Sequence, residues 1–252
     1  NRYEIIPIKT DHPDFQVTVA DIVAIRRHIL GQSEFTNPYQ WIAADVNDSH
    51  HVTTNDIVLI RRLLLGLDSS FARVNSWRFV DAHFPLSHVD NPLNVQIPDR
   101  IIMPNLIAAS DSLDFIGVKV ADVNFSSLQY QSGAQKRESQ SNPIWKIKDR
   151  DISENEIFDL VLQGDNIQIE GMQWMIQFDQ RLMALESVSY QGETDIMDNN
   201  NLPLGIVRGN WIGDPSQPPV VTVRCRALVN GSLQKIIESI ENKSISFVLN
   251  GE

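Results

Sequence analysis

A fifteen-residue stretch occurs twice in this chain. Val17–Gly31 recurs at Val52–Gly66: VTVADIVAIRRHILG aligns with VTTNDIVLIRRLLLG at an offset of 35 residues, with 10 of 15 positions identical. A repeat this short means two copies of one small supersecondary unit, which stack to share a core that neither can bury alone. Apolar residues fall at helical spacing in both copies, Ile22, Ile25 and Ile29 in one, Ile57, Ile60 and Leu64 in the other, so each copy ends in a helix. Gly31 and Gly66 follow those helices, where a left-handed cap is least costly for glycine. Asp21 and Asp56 stand at the two helix starts.

The segment ahead of the second helix, residues 45–56, reads DVNDSHHVTTND. Oxygen-bearing side chains fill loop positions 1, 3, 5, 9 and 12 (Asp45, Asn47, Ser49, Thr53 and Asp56), and His51 at position 7 offers its carbonyl. That is the ligand order of a twelve-residue calcium loop leading into a helix, and a hard cation needs such a set of oxygens. Two positions depart from the common pattern: position 12 is Asp56, not Glu, and position 6 is His50, not Gly. The chain turns at position 6 with positive φ, which costs a non-glycine residue roughly 1–2 kcal/mol. With two ligand carboxylates the expected affinity is weak, on the order of 10⁻⁴–10⁻³ M. The competing reading is an Asx-rich turn that only caps the helix.

The paired loop–helix units, with Asp at position 12 and an Ile/Leu-Gly ending, resemble the type I dockerin module. The resemblance covers residues 10–68; it is specific in the second copy and loose in the first. It implies that positions 10–11 and 17–18 of each unit face a cohesin-type protein partner. Those positions are Val19, Ala20, Arg26 and Arg27 in the first copy, and Thr54, Asn55, Arg61 and Arg62 in the second. The first loop departs strongly: its positions 1, 3 and 5 are Thr10, His12 and Asp14, with Pro13 between them, so it is expected to be structural.

The chain has 252 residues, enough for one to three domains. Its net charge of −11 argues against nucleic acid, which needs a basic footprint. The single cysteine, Cys225, excludes an internal disulfide. No apolar run approaches the ~20 residues of a membrane-spanning helix. No signal peptide is visible, and the strand-like opening YEIIPIK reads as a processed or excised part of something longer.

The expected organisation is multidomain. Residues 1–9 are a strand from a preceding domain and 10–68 the helical pair, with Gln32–Tyr39 between the copies read as loop and Trp41–Ala44 as the lead-in to the second loop. Residues 69–125 hold accessory short strands that pack on the pair, residues 126–143, rich in Ser and Gln, a linker, and residues 144–252 an all-β sandwich. Period-two alternation carries the last assignment: Met172, Trp174, Ile176 and Phe178; Val221, Val223, Cys225 and Ala227; Ile245, Phe247 and Leu249. The segment GMQWMIQFDQRLMALESV resembles a strand pair of cohesin-type sandwiches. The order of parts, with SWRFV and IGVKVADVN between the two modules, resembles large secreted bacterial surface proteins of the type IX route. That implies an extracellular or cell-surface location and an architectural, non-catalytic role.

Other constellations carry less. Asp122-Val123-Asn124 is a fragment of a second calcium loop, or a plain turn. Residues 193–201, ETDIMDNNN, read as a solvated acidic turn, His83 and His88 as ordinary histidines, and Asp111-Ser112-Leu113 resembles a bacterial O-glycosylation site. No nucleophile motif or phosphate loop is present. The function expected is a calcium-stabilised structural or interaction module. It would mediate protein–protein assembly with a cohesin-type partner or with copies of itself, head to tail into a filament. The alternative is a carbohydrate-binding accessory domain of a secreted hydrolase or adhesin, with Trp77, Trp145 and Trp211 as sugar platforms.

Overall fold

The computed structural model describes residues 2–86, 91–103, 113–131, 144–145, 150–163, 169–190, 203–213, 220–238 and 241–249. They fall into two compact units, 1–136 and 137–252. The first is mixed, with short helices and two-stranded antiparallel pairs; the second is mostly antiparallel β.

The first unit opens with β1 (Tyr3–Ile5) and α1 (Val19–Ile29). Then come α2 (Pro38–Ala44), α3 (Thr54–Leu64) and β2 (Trp77–Asp81). It closes with β3 (Ile101–Met103), β4 (Phe115–Lys119) and α4 (Ser126–Gln131). The repeated helices α1 and α3 begin and end alike. Thr18 and Thr53 are N-caps in capping boxes whose third helical residue is Asp21 or Asp56, each carboxylate accepting from its own cap N–H. Both end on a left-handed glycine, Gly31 at φ 66° and Gly66 at φ 74°. The next N–H reaches back to Arg27 O or Arg62 O, each at 2.9 Å, which satisfies carbonyls the helix would leave unpaired.

The two helices are not buried alike. Ile22, Ile25 and Ile60 are fully enclosed, but α1 also buries Val19 and Val23, whereas Val58 on α3 is 39 % exposed. The segment after β4 bonds on the α1 and α2 side. Antiparallel β2 and β4 pair from Trp77↔Lys119 to Asp81↔Phe115, and the chain then crosses to the helices. Ala121 N–H donates to Ala43 O at 2.8 Å, and Gln40 Nε2 to Val123 O at 3.1 Å. Ser126 Oγ donates to Gln16 O at 2.9 Å. The accessory strands thus meet the helical pair on the α1 and α2 side, and α3 keeps an open face.

Three expectations need correction. Tyr3–Ile5 is not a strand left over from a preceding domain; it pairs antiparallel with Ile101–Met103 of the same unit. Residues 38–44, read as loop and lead-in, form α2, with an Asn37 N-cap, Pro38 in the first turn and Gln40 closing a capping box. Ser126–Gln131, placed in the linker, is helical; its first N–H groups are held by the Asp122 carboxylate, and composition alone did not show that anchor.

The second unit runs β5 (Ile144–Trp145), β6 (Asp151–Ile152), β7 (Ile157–Gln163) and β8 (Ile169–Gln177). It continues with β9 (Met183–Tyr190), β10 (Ile206–Ile212), β11 (Val220–Ala227), β12 (Gly231–Ser232), α5 (Leu233–Glu238) and β13 (Glu241–Leu249). One sheet has the order β5-β7-β11-β9 and the other β10-β8-β13, and every pairing is antiparallel. One apolar core lies between them. Phe158, Leu160, Val188, Val221, Val223 and Cys225 come from the first sheet, Met172, Trp174, Ile176 and Val207 from the second. The alternation of β8 and β11 is therefore the pleat of two half-buried strands. The side chains of β13, including Ile245, Phe247 and Leu249, lie outside those described. On the outer face, Arg224 pairs with Asp159 at 2.9 Å and Arg226 with Glu186 at 2.6 Å, each across neighbouring strands. Burial pushes the Cys225 thiol up to about 12, so it stays a neutral packing group.

Trp174 is the largest fully buried side chain of this core. Trp174→Ala should cost the second unit about 3–5 kcal/mol. Calorimetry on the full chain should show one unfolding transition moving down while the first unit's transition stays in place. Limited proteolysis should cut first between Gln131 and Ile144, the Ser/Gln-rich stretch joining the units, and leave two resistant fragments.

Candidate metal centre

Asp45 caps the C-terminal end of α2, and Asp56 opens α3, so the helices fix the two ends of the 45–56 loop. Both carboxylates are fully buried. Asp45 organises the turn: Oδ1 accepts from Ser49 N–H at 2.9 Å and Oδ2 from His50 N–H at 3.0 Å. Asp56 closes the loop: Oδ1 accepts from Val46 N–H at 3.1 Å and Oδ2 from Thr53 N–H at 2.8 Å. His50 has the positive φ expected at position 6, 64°, and Asp48 sits at 56°. These two left-handed residues wind the chain tightly around the Asp45 carboxylate, which holds both turn N–H groups.

The other loop oxygens are informative. Asn47 Oδ1 is buried and has no hydrogen-bond donor among the described residues. An amide oxygen left this way costs roughly 1–3 kcal/mol, unless something else occupies its lone pairs. Ser49 Oγ lies 3.0 Å from the His51 carbonyl oxygen, to which it donates. Two oxygens each 2.3–2.6 Å from one calcium ion sit about this far apart, so ligation needs only a turn of the hydroxyl proton. Burial raises the Asp56 carboxyl above the ordinary carboxylate range, and the Asp45 charge adds to the rise, against the hydrogen bonds from Thr53.

Thr53, placed by the sequence among the loop oxygens at position 9, has another task. Its hydroxyl accepts from Asn55 N–H at 3.3 Å and donates to Asp56 Oδ2 at 3.1 Å, so it serves the helix cap. Among the described residues no group of three or more His, Cys, Asp or Glu side chains gathers in a metal-holding arrangement. The loop has two carboxylates and takes its other donors from amide, hydroxyl and carbonyl oxygens, a set that fits a hard cation and not a thiolate- or imidazole-seeking one.

The first loop takes another course. Its residues wrap the ammonium of Lys119, which is buried and donates to Asp11 Oδ1 at 3.1 Å, Pro13 O at 2.9 Å and His12 O at 3.3 Å. Asp11 Oδ2 also accepts from Trp77 Nε1 at 2.6 Å, and His12 pairs with Asp14. Burial lowers the Lys119 pKa, opposed by Asp11. At the start of α1, burial and the Asp122 charge together push Asp21 up to about 8.

The residues assigned to partner recognition are also split. Thr54 and Asn55 are exposed, whereas Val19 is buried and Ala20 half-buried. Arg62 is held by Asp68 through two bonds of 2.7 and 2.8 Å. Arg26, Arg27 and Arg61 are half-buried and also engaged. The basic pairs are therefore not four free cations. A shallow cavity of about 350 Å³ opens beside the loop, lined by Asn47, Ser49, Asn55, Leu59 and Arg73 among others. It joins the loop to the open face of α3.

The carbohydrate platforms fare poorly. Trp77 is 5 % exposed and bonded to Asp11, and Trp211 packs partly against the second unit's core. The Trp145 side chain, His88, Asp111-Ser112 and residues 193–201 lie outside the described residues. His83 is exposed, its N–H on Asp81. The structure contains no helix long and apolar enough to cross a membrane among the described residues. No family model, curated protein or solved structure matches the chain.

Proposed function

We propose that the first unit is a calcium-stabilised, non-catalytic interaction module of a secreted or cell-surface bacterial protein, of dockerin-like kind. Calcium sits in the 45–56 loop, held by Asp45, Asn47, Ser49, the His51 carbonyl and Asp56. The buried, donorless Asn47 Oδ1 carries this reading, because a helix-capping turn gives no reason to bury that oxygen unpaired. The second unit, two antiparallel sheets about one core, is the cohesin-like partner module of the same chain or a spacer beside it. Of the two repeated helices, α3 presents the partner surface: Thr54, Asn55 and Val58 are exposed there, while the matching side of α1 is covered.

An ion that binds only the folded state at a hundredfold excess over its dissociation constant adds about 2.7 kcal/mol. Calcium should therefore raise the melting temperature of the wild type above its value in chelator. Asp45→Asn keeps the side chain's size and one acceptor but removes a ligand charge, and should shrink that calcium increment. An increment of equal size in both proteins would refute the loop as a calcium site. For assembly, sedimentation of the full chain in calcium should show association that Asn55→Arg with Val58→Arg abolishes. A wild type that stays monomeric at high concentration would remove self-association and leave a separate cohesin-type protein as the partner.

A further inference from the structure

The repeat offset places His28 of the first copy opposite Leu63 of the second. Leu63 is a buried packing residue. His28 packs as well: its ring stacks on Phe35, 3.9 Å between centroids and 3° between planes, and meets Trp41 edge-on at 4.4 Å. The imidazole adds what a leucine lacks, an acceptor. Phe35 N–H donates to His28 Nδ1 at 3.1 Å, across seven residues of chain. That bond and the stack fold the connection between α1 and α2 back onto the last turn of α1.

An Nδ1 that accepts a backbone N–H carries no proton, so the ring is neutral with its hydrogen on Nε2. Protonation puts a hydrogen on Nδ1. Two donors then face each other, and Phe35 N–H loses its acceptor. The rest of the connection is held by groups that do not titrate: Thr36 and Asn37 N–H both donate to Gln40 Oε1, at 3.0 and 3.1 Å. Ionisation of His28 therefore acts on the Phe35 contact and leaves the start of α2 capped.

The surrounding charges do not reverse this. Glu34, in the connection, favours the cation, but it is exposed and screened by salt. Helix α1 itself brings Arg26 and Arg27, and α3, packed on α1, brings Asp56, Arg61 and Arg62. The arginines are all engaged, and Asp56 is held by its own loop. Helix α2 has no charged residue, and its Tyr39 titrates at high pH, pushed further up by burial. Burial is the largest influence on His28 and holds its pKa below the ordinary histidine value. A group depressed in this way gives its full stabilisation above the ordinary value of about 6.5, and loses it as the pH falls through the lower, folded value.

We propose that His28 is a pH-sensitive latch: as a neutral ring it holds the 32–37 connection on α1, and in mild acid it releases Phe35. No residue of the 45–56 loop takes part in it, and the second copy, with Leu63, has no counterpart.

Nuclear magnetic resonance on the full chain, titrated over the histidine range of about pH 5 to 8, tests this. At the alkaline end the ring nitrogen shifts should place the proton on Nε2 alone. As the pH falls, the His28 ring and the Phe35 amide should respond with one midpoint, below that of an unstructured histidine. The Phe35 amide should lose about tenfold in hydrogen-exchange protection over the same interval. His28→Asn, whose amide oxygen lies near the place of Nδ1 and never titrates, should make that protection independent of pH. His28→Phe, a ring without an acceptor, should leave it low throughout. A His28 ring that titrates at or above the ordinary value, or a Phe35 amide indifferent to its titration, overturns the latch. So does an amide that responds equally in the wild type and in His28→Asn, or one that stays protected in His28→Phe. If a variant fails to fold, the wild-type titration alone decides, because it reads both the ring proton and the Phe35 protection.

Discussion

Asp21 and Asp56 bind the first unit together. Each is a helix residue that reaches back to its own N-cap and accepts a second backbone N–H, Val46 of the same loop for Asp56 and Asn124 from the far end of the unit for Asp21, so one buried carboxylate fixes both a helix start and a closure. A buried carboxylate is costly unless every lone pair is answered. The surrounding chain is arranged around that demand: Thr18 and Thr53 as caps, Val46 and Asn124 as donors, and the paired Asp45 and Asp122 that shape the turns. The apolar packing of Ile22, Ile25 and Ile60 supplies the bulk of the burial, but any helix pair can supply that. The carboxylates decide how the helices are entered.

The two copies show how duplication and divergence share a structural load. The second copy keeps its loop in one piece. The first has given its front half to a different task, wrapping a lysine ammonium, and residues from beyond β4 take the vacated place. The exchange also decides which helix stays open. Asn124 and Ser126 bond to Asp21 and Gln16 at the start of α1, and Val23 there is buried while the matching Val58 of α3 is exposed, so near-identical helices present different surfaces.

Much of this was legible in the sequence because it is local. The repeat, the two helices it carries, the C-terminal glycines and the positive φ at His50 each depend on residues a few positions apart. So do the two-residue periods of β8 and β11. What was not legible is long-range. Nothing near Tyr3 says that it pairs with Met103, and nothing near Lys119 says that it will be enclosed by residues 11–13. Helix α2 was missed for another reason: seven residues are too few to display a helical period, and only the Asn37-Pro38 start and Gln40 gave it away. The Asp122–Asn124 stretch was visible, but not its contact with Asp21, which lies 103 residues away.

That distance bears on how the chain is made. The Asn124–Asp21 contact spans 103 residues and the Ser126–Gln16 contact 110. At a synthesis rate of about 5–20 residues per second, α1 emerges roughly 5–20 s before the segment that covers it exists. For that interval the nascent helix exposes the flank that Val19 and Val23 later bury, and Asp21 stands in water as an ordinary carboxylate. The 45–56 loop, whose closing bonds all fall within itself, can close as soon as it is synthesised. The later half of the duplication is thus free to mature first, and the earlier half must wait for the end of its own domain.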